Sequence, residues 1–359
     1  MSTDHPVLSL EDVDVHFEKD GGGLNPFTDR PTVRAVDGVD LDISSNDVVA
    51  IVGESGSGKT TLGKTAVGLQ QPSAGTIKYR GQDIWQAKKW NSNASIPFDE
   101  IRRSLQIIHQ DPGAALNPNR TVLSSLAAPL KRWQPDLSSE DREARILHFI
   151  ERVGMSPPHD YAHRYPHQLS GGEKQRVALV RALLMNPDVI LADEAVSALD
   201  VSLRVEMMDL MLELQSQFDT SFLFISHDLS NARYIAEHAD GRLGVMYLGE
   251  LVELGPADEV LQNPQHPYTK VLKWATPELG VDEGPTEPPI REIDIPDPVN
   301  PPTGCRFHTR CPNATDQCRR ATPEVTAVDD GTGRHRVACY RSTDEDAYWD
   351  SDPLDGAEL

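Results

Sequence analysis

Nowhere in its 359 residues does this chain carry a run of 18 apolar residues, which excludes an ordinary membrane-spanning helix. Met1 to Pro6 shows neither the basic nor the apolar region of a signal peptide, so the sequence predicts a cytoplasmic chain that reaches any membrane through partners. Cysteine is missing before residue 300, which excludes a disulfide framework for the main body. Lysine is scarce: 10 of 34 basic residues, against 56 acidic ones, for a net charge of −22. Such a chain lacks the basic stripes that meet nucleic-acid phosphates, so no nucleic-acid partner is expected. Spread acidity keeps proteins soluble in high salt, and it also occurs as an ordinary acidic surface. Residues 61–168 hold no sustained heptads, which excludes a long coiled coil there. The length leaves room for two domains, or for one large domain with an appendage.

What is present begins at Val48. The apolar run Val48 to Val52 reads as a buried strand. It feeds Gly53-x-x-x-x-Gly58-Lys59-Thr60, and Leu62 to Leu69 then reads as a helix. Strand, glycine-rich loop and helix in that order make a phosphate cradle. Backbone N–H groups along Gly53, Ser55, Gly56, Ser57, Gly58, Lys59, Thr60 and Thr61 can turn inward, and the helix N-terminus adds positive dipole. Lys59 is placed to reach the β and γ phosphates, and the Thr60 hydroxyl to hold Mg²⁺. The chain is expected to bind ATP or GTP.

Val7 to Phe17 and Val33 to Ile43 partly alternate apolar and polar residues, separated by a Gly/Pro-rich loop from Asp20 to Pro31. They predict an antiparallel sheet beside a parallel one. Phe17 reads equally as a stacking platform for adenine or as plain core. Residues 86–100 read as an irregular surface insertion, and Arg103 to Gln110 as a short strand. A mainly helical subdomain follows over about residues 113–168, with helix faces at Leu123, Leu126 and Leu130 and at Ile146, Phe149 and Val153. It ends at Leu169-Ser170-Gly171-Gly172-Glu173. Ser170 and Glu173 have capping-box spacing, but the two glycines exceed what capping needs and leave N–H groups bare for a second phosphate. Val189 to Asp193 reads as a buried strand delivering Asp193, suited to Mg²⁺ through water, and Glu194, suited to accept a proton from attacking water. Ser197 to Asp200 turns into a helix, and Ser221 to Ser226 is a strand that places His227 on the ligand-binding edge of a parallel sheet.

Gly53–Thr60, Gln110, Leu169–Glu173, Asp193–Glu194, Ser197–Asp200 and His227 stand in the order found in the nucleotide-binding subunit of ABC transporters, which the chain resembles over about residues 7–342. Within that superfamily it looks like the ATP-binding subunit of oligopeptide/dipeptide importers. Val36 to Val39, Gln110-Asp-Pro with Leu116 to Pro118, Gln265 to Thr269 and Gly304 to Pro312 carry this likeness. The resemblance implies a P-loop NTPase core of α/β class, with an antiparallel β subdomain, an inserted helical subdomain and a small Cys-containing C-terminal segment. It implies a head-to-tail dimer with a homologous or identical ATPase subunit, in which Ser170, Gly171 and Gly172 of one chain close over ATP on the other. Gln110 would sense Mg²⁺ and the γ phosphate, His227 would touch the γ phosphate, Glu194 would polarise water, and Asp200 would lie at the seam. Two transmembrane permeases, and through them an external solute-binding protein, are the implied partners at the cytoplasmic face of the membrane. The family's proline after the catalytic glutamate is Ala195 here, so a less rigid turn is expected. An importer of another solute, oligosaccharide or nickel, would use the same ATPase type. A soluble ABC ATPase acting on DNA or ribosomes is a different class, against which the missing coiled coil and the single cassette speak.

The expected division is an ATPase domain over 1–275, an acidic Pro-rich connector over 276–303, a Cys-containing segment over 304–342 and an acidic tail over 343–359. Cys305, Cys311, Cys318 and Cys339 are spaced C-x₅-C-x₆-C-x₂₀-C. Four cysteines in a short cytosolic stretch favour metal over disulfide. The spacing is not that of common paired zinc sites and resembles the importers' cysteine set, which implies a [4Fe–4S] cluster; zinc and free thiols remain the alternatives.

Overall fold

The computed structural model describes residues 6–18, 32–89, 93–276, 290–291, 294–328 and 333–341. The Gly/Pro-rich loop, most of the connector and the acidic tail therefore lie outside the described residues.

Two sheets divide the work. The first is antiparallel, in the order β2 (Thr32–Ile43), β1 (Leu8–Glu18), β4 (Ala74–Tyr79), β5 (Gln82–Asp83). β1 and β2 pair from Leu8 opposite Ile43 to Glu18 opposite Thr32, with irregularities between Leu10 and His16 that twist the ribbon. Their inward residues Leu8, Leu10, Val13, Val15, Val36, Val39 and Leu41 are buried, as the sequence alternation requires.

Among the described residues the second sheet has eight strands. Its centre is parallel: β9 (Arg242–Tyr247), β3 (Val48–Val52), β8 (Ser221–Ser226), β7 (Val189–Asp193) and β6 (Leu105–Ile108) stand side by side. β3, β7 and β8 are buried along their whole length, which explains why they read as unbroken apolar runs. Beyond β9 the order continues antiparallel through β10 (Glu250–Pro256), β12 (Arg336–Val337) and β11 (Thr326–Ala327). The Cys-containing stretch thus supplies two strands to the edge of the nucleotide-site sheet.

The interval 86–108 differs from its sequence reading. Phe98–Ser104 is a helix, and the strand begins only at Leu105. Asp99 and Glu100 in the helix's first turn and Arg102 and Arg103 in its last match the helix dipole, a charge order that outweighs the irregular composition. Ile101 anchors it in the core. The inserted helices Val122–Trp133, Ser139–Arg152 and Pro158–His163 bury Leu126, Leu130, Ile146, Phe149 and Ala162 together and join the core through the helix Gly171–Leu183.

Candidate nucleotide site

The site lies where β3, β7 and β8 end together, because parallel strands bring all their C-terminal ends to one edge. β3 stops at Val52 and the loop runs to Gly58, whose φ of +102 suits only glycine. A Cβ there would lie 1.9 Å from the Ala35 carbonyl oxygen, so β2 itself closes the back of the loop. The helix Lys59–Ala66 starts at once, presenting its unpaired N–H groups to the loop's concave side. Ser55 and Gly56 form the exposed rim, while Ser57 is buried.

Lys59 is buried. Its Nζ donates to the carbonyls of Gly53 (2.7 Å) and Glu54 (2.8 Å), and lies 3.4 Å from Ser57 Oγ. Burial lowers its pKa, while Glu194, Asp193 and Glu54 pull the other way. The ammonium therefore sits among groups that favour its charge and hold it at the mouth of the loop. Thr60 Oγ1 donates to Asp193 Oδ1 at 2.8 Å, so the two oxygens expected to hold Mg²⁺ share one point across β3 and β7. Neighbouring hydroxyl and carboxylate oxygens suit a hard cation that keeps several waters.

Glu194 follows Asp193 with φ +50, and its N–H bonds the Ile225 carbonyl at 3.0 Å. This left-handed residue turns the carboxylate out of the strand direction. Its Oε1 lies 3.3 Å from His227 Nδ1, with His227 half exposed at the end of β8. Ser197 Oγ donates to the Glu194 carbonyl at 2.9 Å, and Gln110 Nε2 reaches Ser197 Oγ at 3.5 Å. Gln110 is thus linked to the Glu194 turn from the far side of β6.

One contributor escaped the sequence reading. Gln175, buried in the helix Gly171–Leu183, donates through Nε2 to the carbonyls of Ala195 and His109. It braces the turn that here lacks proline and ties it to the residue before Gln110. The only sequence signal was its place in a polar stretch that a buried helix face would interrupt.

Ser170 and Glu173 form the capping box: Ser170 N–H donates to Glu173 Oε2 at 2.6 Å, and Glu173 N–H to Ser170 Oγ at 3.3 Å. Space around Gly171 is open. The cleft beside Thr60 and Asp193 is lined from this helix by Ala178, Arg181 and Ala182. Residue 178 lies seven positions past Gly171, roughly 10 Å along the axis. The helix start therefore does not close over its own chain's loop. Asp200 caps the helix Val201–Phe218 by accepting from Leu203 N–H at 3.0 Å, a structural role its motif position did not announce. Gly172 packs toward Leu203 and Leu199, so the two helix starts adjoin. Phe17, at the end of β1, is 41% exposed, which removes the plain-core reading.

The four cysteines form no disulfide. Burial raises the pKa values of Cys305, Cys311 (to about 12) and Cys339 (to about 11), and Cys305 N–H donates to the Cys318 carbonyl at 2.8 Å, which ties the backbone of the first cysteine to that of the third.

Residues 36–197 match the family described as ABC transporter, and residues 252–318 match the oligopeptide/dipeptide transporter C-terminal region. The di/tripeptide transport ATP-binding protein DppF of Pseudomonas aeruginosa is 40% identical over 94% of this chain and 98% of its own length. The oligopeptide transport ATP-binding protein OppF of Salmonella typhimurium is 39% identical over 93% of this chain and 96% of its own. Among solved structures, the dimeric ATP-binding cassette MJ0796 in a post-hydrolysis state with ADP and Pi superposes with TM-score 0.57 at 27% identity, covering 70% of this chain and 98% of that one.

Proposed function

The chain belongs to the ATP-binding subunits of ABC-type peptide transporters, and from that premise we propose that it hydrolyses ATP to drive import of oligopeptides or dipeptides through separate membrane permeases. The observation that carries this is the convergence of Lys59, Thr60, Asp193, Glu194 and His227 at one sheet edge, in a chain whose C-terminal part matches the peptide-transporter region. ATP lies with its phosphates in the Gly53–Thr61 cradle and its adenine toward Phe17. Lys59 turns from the Gly53 and Glu54 carbonyls to the β and γ phosphates. Thr60, Asp193 and Gln110 would hold Mg²⁺, which when bound would offset phosphate charge. Glu194 takes a proton from the attacking water, and His227 orients Glu194 and faces the γ phosphate. Catalysis is then mostly positioning and charge stabilisation.

A second chain completes the site head to tail. Ser170 and Gly171 are open to solvent in their own chain, Gly172 is half-buried beside them, and Val201 next to Asp200 is 74% exposed. Both patches suit a seam that closes over the partner's ATP. The permeases dock in the groove between the helix Phe98–Ser104 and the inserted helix Val122–Trp133, lined by Arg102, Arg132 and Arg181 in an otherwise acidic chain, which opens into the cleft of about 700 Å³ that reaches Gln110. The solute-binding protein acts only through the permeases, which places this chain peripherally on the cytoplasmic face. The ATPase unit is 1–275, with 304–342 fastened onto it.

At Cys305, Cys311, Cys318 and Cys339, four thiols are the donor set that a [4Fe–4S] cluster takes, and tetrahedral zinc accepts the same four. Anaerobically purified protein is expected to absorb broadly in the visible; colourless protein with stoichiometric zinc decides the other way. For transport, the chain reconstituted with its permeases in vesicles is expected to take up labelled peptide only with ATP on its own side. Uptake of nickel or oligosaccharide in place of peptide would overturn the choice of cargo.

A further inference from the structure

Glu54, the second residue of the phosphate loop, is held at three points. Its carbonyl accepts from Lys59 Nζ, its N–H donates to Tyr268 Oη at 2.8 Å, and its carboxylate is gripped by both terminal nitrogens of Arg310, at 2.9 and 3.1 Å. Arg310 lies in the Cys305–Cys311 stretch, and only 4% of its side chain is exposed. That stretch is a ladder of anchors. Arg306 donates to the Leu248 carbonyl and Asp37, and its Nε lies 3.0 Å from Glu250. Next to Leu248, Gly249 N–H donates to the Ser57 carbonyl at 2.9 Å, on the other limb of the loop. Phe307 packs edge-on to Tyr247 and against Tyr268, and Arg310 lies over the rings of both Tyr247 and Phe307.

Lys59 is the loop's side-chain cross-link. Once its ammonium turns to the phosphates, the Gly53 and Glu54 carbonyls lose that donor, and the Glu54 carbonyl keeps the Ser57 N–H, at 3.2 Å within the loop itself. The ties from Glu54 to the rest of the fold are then Tyr268 and Arg310. A loop free to sample other shapes binds more weakly in proportion to the fraction that stays competent. We propose that Arg310 is a positioning residue for ATP: by clamping Glu54 it keeps the phosphate loop open when Lys59 leaves, so the Cys305–Cys311 stretch sets nucleotide affinity. This rests on the ATP-binding reading.

The test measures binding of trinitrophenyl-ATP with Mg²⁺ to the full chain and to Arg310→Gln, Glu54→Gln and the double variant. The unaltered chain is read first; failure to bind there would sink the ATP reading itself. Each single variant is expected to bind roughly tenfold more weakly, a typical coupling between linked sites. The double variant is expected to match either single, because both remove one clamp. Arg310→Lys should recover part of the loss, since one charged donor still reaches Glu54. In turnover, KM for ATP should rise while kcat stays within about twofold. Wild-type affinity in folded Arg310→Gln would overturn the proposal. So would additive losses, which would mean that Arg310 serves its own segment and not the loop. If Arg310→Gln does not fold, Glu54→Gln carries the test alone, and wild-type affinity there is equally fatal.

Discussion

Replacing Glu194 with glutamine separates chemistry from binding. The amide has the carboxylate's shape, so the left-handed turn and the Ile225 hydrogen bond at Glu194 N–H are kept. What goes is a proton acceptor at the point where β7 and β8 end, 3.3 Å from His227 Nδ1. Loss of a positioned general base costs about 10²–10⁴ in rate, or roughly 3–5 kcal/mol of barrier. Binding should respond oppositely. Lys59 keeps Asp193 and Glu54 as favourable charges, and a neutral side chain no longer repels the γ phosphate. Phosphate release at saturating ATP should therefore fall at least a hundredfold while ATP affinity holds or tightens. With hydrolysis stalled, gel filtration in ATP should show the closed dimer. Turnover within about tenfold of the unaltered chain would remove Glu194 from its role.

Gly58→Ala places a Cβ 1.9 Å from the Ala35 carbonyl oxygen at φ +102, so β2 and the loop must part. ATP binding should drop beyond tenfold, and unchanged binding by titration would show that the cradle does not need this closeness. Ser170→Arg should leave ATP binding by one chain intact and abolish ATP-induced dimers and turnover; a dimer of normal size on gel filtration would refute the seam. His266 is wholly buried, and its Nδ1 accepts from Tyr268 N–H at 3.1 Å, capping the helix Pro267–Trp274. Burial pushes its pKa from 6.5 down to about 4, against the pull of Glu253. Only the unfolded chain takes up this proton between those values. The group's contribution is thus whole above pH 6.5 and is lost as pH falls toward 4, about 3 kcal/mol in all. His266→Asn keeps an acceptor that does not titrate, and urea midpoints from pH 7 to 4.5 should fall less steeply in it; identical slopes would refute the assignment.

Much of the nucleotide site was legible because each part is a local pattern. The run Val48–Val52, the glycines around Lys59 and the pair Asp193–Glu194 each announce their element by adjacency. The antiparallel ribbon was legible from alternation in β1 and β2. The helix Phe98–Ser104 was not, since its signal lies in charge order around a single buried Ile101. Gln175 and Arg310 were not either, because their partners are 20 and 256 residues away in sequence.

Motif order alone identified the reaction and the family, since phosphate cradles and carboxylate-bearing strand ends need particular residues at short spacing. Tertiary structure decided how the cysteine-bearing end relates to that chemistry. By composition it was an appendage behind an acidic connector. In the fold, Arg336 and Val337 extend the sheet and Arg310 grips Glu54. Such contacts form only when distant segments are packed together, and no local pattern encodes which buried arginine meets which carboxylate.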